Sequence, residues 1–125
     1  LPHDNYYRPA IRQRCRDLFC PMSAVFTAAA GFQVDDALLE VQIRNAAGDA
    51  THTWHRSFAD LVRSAPQLLA DVSEFMTLSP GDVLLLGPGE GSPSAHAGDT
   101  VVITVNGLGQ LRHSLTQDIT EGARA

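Results

Sequence analysis

Four arginines crowd into nine positions near the start of this sequence, Arg8, Arg12, Arg14 and Arg16, with Tyr7 before them and Asp17 after. Guanidinium groups fork onto carboxylates through paired N–H donors, and a phenol adds a directed hydrogen bond. Tyr7, Arg8 and Arg14 therefore form a candidate site for a dicarboxylate. Asp17 is close enough in sequence to orient Arg14 or Arg16. The competing reading is a solvated basic segment held by local ion pairs.

The other reactive groups lack a working pattern. Glu40, Glu74, Glu90 and Glu121 stand far apart, and no carboxylate pair has the alternate spacing that puts two ligands on one strand face. His52 and His55 are spaced as a zinc pair on a helix would be, but their segment reads as a strand, so they are expected to be structural or surface histidines. His113 and Ser114 are adjacent, and neighbours on a strand point to opposite faces, which argues against a base and its nucleophile. Cys15 and Cys20, the only cysteines, read as free thiols. The run Gly87-Pro88-Gly89-Glu90-Gly91 could approach a ligand through backbone N–H groups but lacks the spacing of a phosphate loop. An ordinary surface loop is the alternative there.

Composition narrows the partners. Fourteen acids against nine bases give a net charge of −5, which disfavours a nucleic-acid partner. All nine bases are arginine, so this chain supplies no Schiff-base lysine, phosphate-loop lysine or lysine general base. No stretch approaches the roughly 20 apolar residues of a membrane span, and the first residues lack the pattern of a signal peptide. A soluble, cytoplasmic protein is expected, with no membrane partner. With 125 residues, 44% of them hydrophobic, the chain can build one modest core, so a single domain over 1–125 is expected. The start on Leu1 rather than methionine suggests a processed chain or a fragment.

The elements that would position these residues are legible from periodicity. Leu39, Val41 and Ile43 alternate with Glu40, Gln42 and Arg44, the pattern of a half-buried strand. Residues 45–49 supply a turn, and residues 51–54 return as its hairpin partner. Ser64 is a helix cap with Pro66 early in the first turn and Gln67 three residues on. The stripe Leu68, Leu69, Val72, Phe75 and Met76 is predicted to face a core, with the helix stopping at Ser79-Pro80-Gly81. The run from Val83 to Leu86 reads as a strand buried on both faces, followed by a loop over 87–98. Val101, Ile103 and Val105 alternate, Asn106-Gly107 suits a tight hairpin turn, and residues 108–115 return. About five strands and one clear helix, without alternating strand and helix units, predict an α+β class with a largely antiparallel sheet.

Three ordered segments carry a resemblance: YYRPAIRQRCRDLFCP from Tyr6 to Pro21, SEFMTLSPGDVLLLG from Ser73 to Gly87, and AGDTVVITVNGLGQLRHSL from Ala97 to Leu115. Together they resemble the carboxy-terminal half of the fumarylacetoacetate hydrolase family. The first segment is most similar to the family's isomerase and decarboxylase members of homoprotocatechuate (4-hydroxyphenylacetate) degradation. The resemblance implies a mixed β roll and a metal-dependent isomerase or decarboxylase. Its implied substrate is a 2-oxo or 2-hydroxy-dienoate di- or tricarboxylate, met by Tyr7, Arg8, Arg14 and Asp17. It also implies a Mg2+ or Mn2+ ion that steadies negative charge on the substrate's enolate oxygen. The family's metal ligands, a Glu-x-Glu pair and an aspartate, precede the matching segment and are expected outside this chain. A homo-oligomer, or pairing with a second half-module, follows from the same likeness.

The sequence departs from the family pattern at three places. The family's lysine falls at Arg14, the threonine of its Gly-Thr-Pro loop at Pro88, and a glycine at Leu18. Arginine keeps the charge but carries no proton at neutral pH. Proline offers neither hydroxyl nor N–H. A catalytically degenerate supporting half, and another family activity such as acylpyruvate hydrolysis, are therefore carried as alternatives.

Overall fold

The computed structural model describes Ile11 and residues 15–117. Among the described residues, four strands and one α-helix of more than a turn follow in the order β1 (Leu38–Arg44), β2 (Ala50–Ser57), α1 (Ala65–Ser73), β3 (Thr100–Val105) and β4 (Gly109–Ser114), with short 3-10 turns before β1 and between β2 and α1. The strands form one antiparallel sheet in the order β2-β1-β3-β4. The α+β class expected from periodicity is the class observed.

The β1–β2 turn is built by Asn45. Its side-chain oxygen accepts from the backbone N–H groups of Ala47 and Asp49, both at 3.0 Å, and Gly48 takes the positive φ of 90° that closes the turn. The register is regular from Leu38↔Ser57 to Ile43↔His52 and breaks before Arg44↔Ala50. Alternation then sorts the side chains into two faces. One carries the rows Arg56–Leu39–Val105–Gly109, Trp54–Val41–Ile103–Leu111 and His52–Ile43–Val101–His113. The other carries His55–Glu40–Thr104–Gln110 and Thr53–Gln42–Val102–Arg112. The first face holds Ile43, which is 2% exposed, and Val101; of the other two buried apolar residues Val102 lies on the second face and Ala37 just before β1.

The β3–β4 turn departs from the tight hairpin expected at Asn106-Gly107. That turn type needs a positive φ at both residues, but Leu18 is the only non-glycine in that region among the described residues. The connection instead spans three residues, with the N–H of Leu108 donating to Val105 O at 3.0 Å and glycines of positive φ at 107 and 109. Asn106 is used differently: its Oδ1 accepts from the N–H of Leu38 at 2.6 Å, pinning the start of β1 to the end of β3.

Two expectations fail between β2 and β3. Ser64 caps α1 as predicted, accepting from the N–H of Gln67 at 3.3 Å, but the helix ends at Ser73 rather than near Ser79. Its apolar stripe is not buried among the described residues: Leu68 and Val72 are half-buried, Leu69 is exposed, and Phe75, beyond the helix end, is 77% exposed. The run from Val83 to Leu86 is not a strand, and Leu85 is 72% exposed. A strand needs a ladder for its N–H and C=O groups, and no described element lies alongside this run in the sheet. Its composition suits a buried strand, but among the described residues it has no pairing strand. No helix among the described residues is long and apolar enough to cross a membrane.

Candidate functional site

The path of the chain brings a glycine loop onto β2. Both β2 and β3 run antiparallel to β1, one on each side of it, so residues 58–99 must cross from one edge of β1 to the other. Within that crossing, residues 87–91 lie against β2. The guanidinium of Arg56 donates through Nη1 to Gly87 O at 3.3 Å. A Cβ built on Gly89 would stand 2.8 Å from Cη2 and Cζ2 of Trp54 and 3.1 Å from Cδ of Arg56. A Cβ on Gly91 would stand 3.9 Å from the indole Nε1. Trp54 and Arg56 share a sheet face because they are two residues apart on one strand. Pro88 and Glu90, between the contacting glycines, are exposed.

The three glycines serve two different needs. Gly87 and Gly91 have φ of 77° and 69°, a region where side chains are strained. Gly89 has no such φ, so the indole and the arginine stem exclude a side chain there by occupying its space. The strand expected over residues 51–54 stops short of Arg56, so it does not set Trp54 and Arg56 side by side. The available signal was the pair Trp54 and Arg56 at alternate positions in a strand that continues to Ser57.

Of the residues chosen from sequence, Tyr7, Arg8 and Arg14 lie outside the described residues. Asp17 is exposed in a turn closed by the N–H of Phe19 on Arg16 O at 3.2 Å, just before Leu18 at φ 65°. Leu18 stands where the resemblance expects glycine, and it adopts the backbone conformation that glycine takes at least cost. Cys15 and Cys20 are both free and exposed.

The remaining candidates behave as structural groups. His55 lies 3.6 Å from Glu40, its cross-strand partner, and His52 Nδ1 lies 3.2 Å from Thr51 Oγ1. Three residues apart on a strand, the two histidines face opposite ways. Ser114 Oγ pairs with Thr100 Oγ1 at 3.2 Å across β3 and β4, while His113 belongs to the opposite face, its buried Nδ1 without a hydrogen-bond partner among the described residues. Among the described residues, no three His, Cys, Asp or Glu side chains come together as a metal-binding group.

Comparison with known proteins places the chain. The profile described as fumarylacetoacetate (FAA) hydrolase C-terminal matches residues 1–116. The chain belongs to this family. It is 38% identical, over 94% of its length, to the 4-hydroxyphenylacetate degradation bifunctional isomerase/decarboxylase of Salmonella dublin, and 35% identical over the same share to the homoprotocatechuate catabolism bifunctional isomerase/decarboxylase of Escherichia coli. It spans 26% of each of those relatives. A crystal structure of 5-carboxymethyl-2-hydroxymuconate delta-isomerase from Mycobacterium smegmatis superposes with a TM-score of 0.58 at 31% identity, covering 70% of this chain and 33% of that one. The family and fold expected from the three sequence segments are therefore those found.

Proposed function

We propose that this chain forms part of a metal-dependent isomerase and decarboxylase of homoprotocatechuate degradation, acting on a 2-oxo or 2-hydroxy-dienoate di- or tricarboxylate. The observation that carries the proposal is the 38% identity along 94% of the chain to a bifunctional isomerase/decarboxylase. Tyr7, Arg8 and Arg14 are assigned to the substrate's acidic ends, where paired N–H donors hold a carboxylate in a fixed orientation. Asp17 orients an arginine of this segment. The loop at 87–91 approaches the same ligand with the backbone N–H groups of Gly89 and Gly91; Pro88 between them and Gly87 has none to offer.

The described residues do not fit the Mg2+ or Mn2+ ion that the family resemblance implies, because they bring no ligand group together. Its ligands are proposed to lie outside this chain, and the part assigned here is to bind, orient and neutralise the acid. The module is proposed to be a single cytoplasmic domain that works as a homo-oligomer or against a second half-module.

A second reading, a supporting half without its own turnover, draws support from the arginine at position 14 and the proline at position 88, where the family pattern has lysine and threonine. One assay separates the two. The full natural polypeptide, supplied with Mg2+ or Mn2+, is expected to release CO2 from 5-carboxymethyl-2-oxo-hex-3-ene-1,6-dioate. Absence of turnover with either metal would reject the leading reading in favour of the supporting half.

A further inference from the structure

We infer that Trp54 and Arg56 are positioning residues that hold the glycine loop at 87–91 in its ligand-facing shape, an inference that rests on the functional reading above. The loop meets β2 at every second residue: Gly87 through its carbonyl on Arg56, Gly89 against the indole edge and the arginine stem, and Gly91 beside the indole nitrogen. A Gly-Pro-Gly-Glu-Gly segment has high backbone freedom by itself. A site that binds through backbone N–H groups needs those groups fixed before the ligand arrives, because ordering them on binding costs affinity. Trp54 supplies a rigid wall with only two side-chain torsions, and Arg56 adds a directed tether at the loop's entrance. The absence of a side chain at 89 is thus set by the indole of Trp54, 2.8 Å from where a Cβ would stand, more than by the Arg56 stem at 3.1 Å, while glycine at 87 and 91 relieves the strain of a positive φ.

The interlock predicts a specific non-additivity. In the full natural polypeptide, Gly89→Ala places a methyl group against the indole, so that ring and loop must separate. KM for the tricarboxylate is expected to rise about tenfold with kcat changed much less. In a Trp54→Ala background the same change at 89 should alter KM by less than about twofold, since the obstructing ring is gone. Arg56→Lys, which keeps the charge but loses the planar fork, should raise KM by about threefold.

An optical readout makes the test independent of turnover. The emission of Trp54, isolated by difference against Trp54→Phe, should move to longer wavelength in Gly89→Ala and become more open to acrylamide quenching. An equal KM penalty for Gly89→Ala in both backgrounds would overturn the inference, and so would an unmoved Trp54 emission. A shifted emission with unchanged KM would also overturn it, by showing that the loop does not serve the ligand. Lack of turnover by the unsubstituted polypeptide would instead refute the functional reading, and the emission shift would decide the seating of the loop by itself. Circular dichroism on each variant separates a lifted loop from a chain that fails to fold, and the double variant restores the space if the single one does fail.

Discussion

The sheet and the segment between its second and third strands are both rich in large apolar side chains, yet they end in opposite environments. In the sheet, Val41, Ile43, Val101 and Ile103 meet one another across strands, and Ile43 is 2% exposed. From Leu68 to Leu86 the apolar residues sit on α1 and the chain beyond it, and Phe75, Val83 and Leu85 are 77%, 56% and 72% exposed. Apolar patterning names the side chains that want cover, but a neighbour with free ladder groups or a facing apolar surface must supply it. The sheet contains its own partners within residues 38–57 and 100–114. The intervening segment does not find them among the described residues.

Substitutions offer the sharpest way to break this contrast. Ile43→Ala is expected to cost about 2–5 kcal/mol of unfolding free energy in a urea titration, because the lost methylenes leave a cavity in a packed sheet. Leu85→Ala should change stability by no more than about 0.5 kcal/mol in the same titration. Equal losses at the two sites would erase the distinction between them. Ser64→Ala is expected to cost about 1 kcal/mol, since the helix loses the cap on Gln67 N–H and none of its residues is fully buried. The double change Phe75→Ser and Leu85→Ser should lower self-association in sedimentation velocity, because exposed apolar surface favours association. Unchanged sedimentation would remove this segment from any assembly. The smallest effect is expected at Glu40→Gln, which breaks a solvent-exposed pair with His55 worth no more than about 1 kcal/mol.

The same contrast explains what could be read in the sequence. β1, its hairpin turn and β3 were legible because alternation, Asn45 and the valine-rich run agree with one another, and local agreement of that kind marks a foldable segment. The helix start was legible because a cap is a local device, written in Ser64, Pro66 and Gln67. The helix ends earlier than its pattern suggests because the apolar stripe continues past Ser73, where Phe75 and Met76 are exposed. The run from Val83 to Leu86 was misread for a related reason: a continuous apolar stretch states a preference for burial, and pairing is a non-local property. Asn106-Gly107 suggested a tight turn because the pair tolerates positive φ, whereas the asparagine side chain was committed to Leu38, 68 residues away.

The site divides along similar lines. Chemistry carried by residue type, as in the arginine segment with Tyr7, Arg8, Arg14 and Asp17, was visible as a motif. The contact of Trp54 and Arg56 with residues 87–91 was not, because a glycine required for space looks like any other glycine until its neighbour is known. Two further features became interpretable only with the fold. Leu18 holds a positive φ where the resemblance expects glycine, and Asp17 precedes it in an exposed turn.

The most direct test of the account is a comparison of kcat/KM for the full natural polypeptide and its Arg14→Lys variant, with the tricarboxylate as substrate and Mg2+ or Mn2+ supplied. If arginine at this position holds a carboxylate through a planar fork, lysine keeps the charge but loses the paired N–H donors, and kcat/KM is predicted to fall about tenfold or more. Two indistinguishable values would contradict the assignment of the amino-terminal arginines to the ligand's acidic ends.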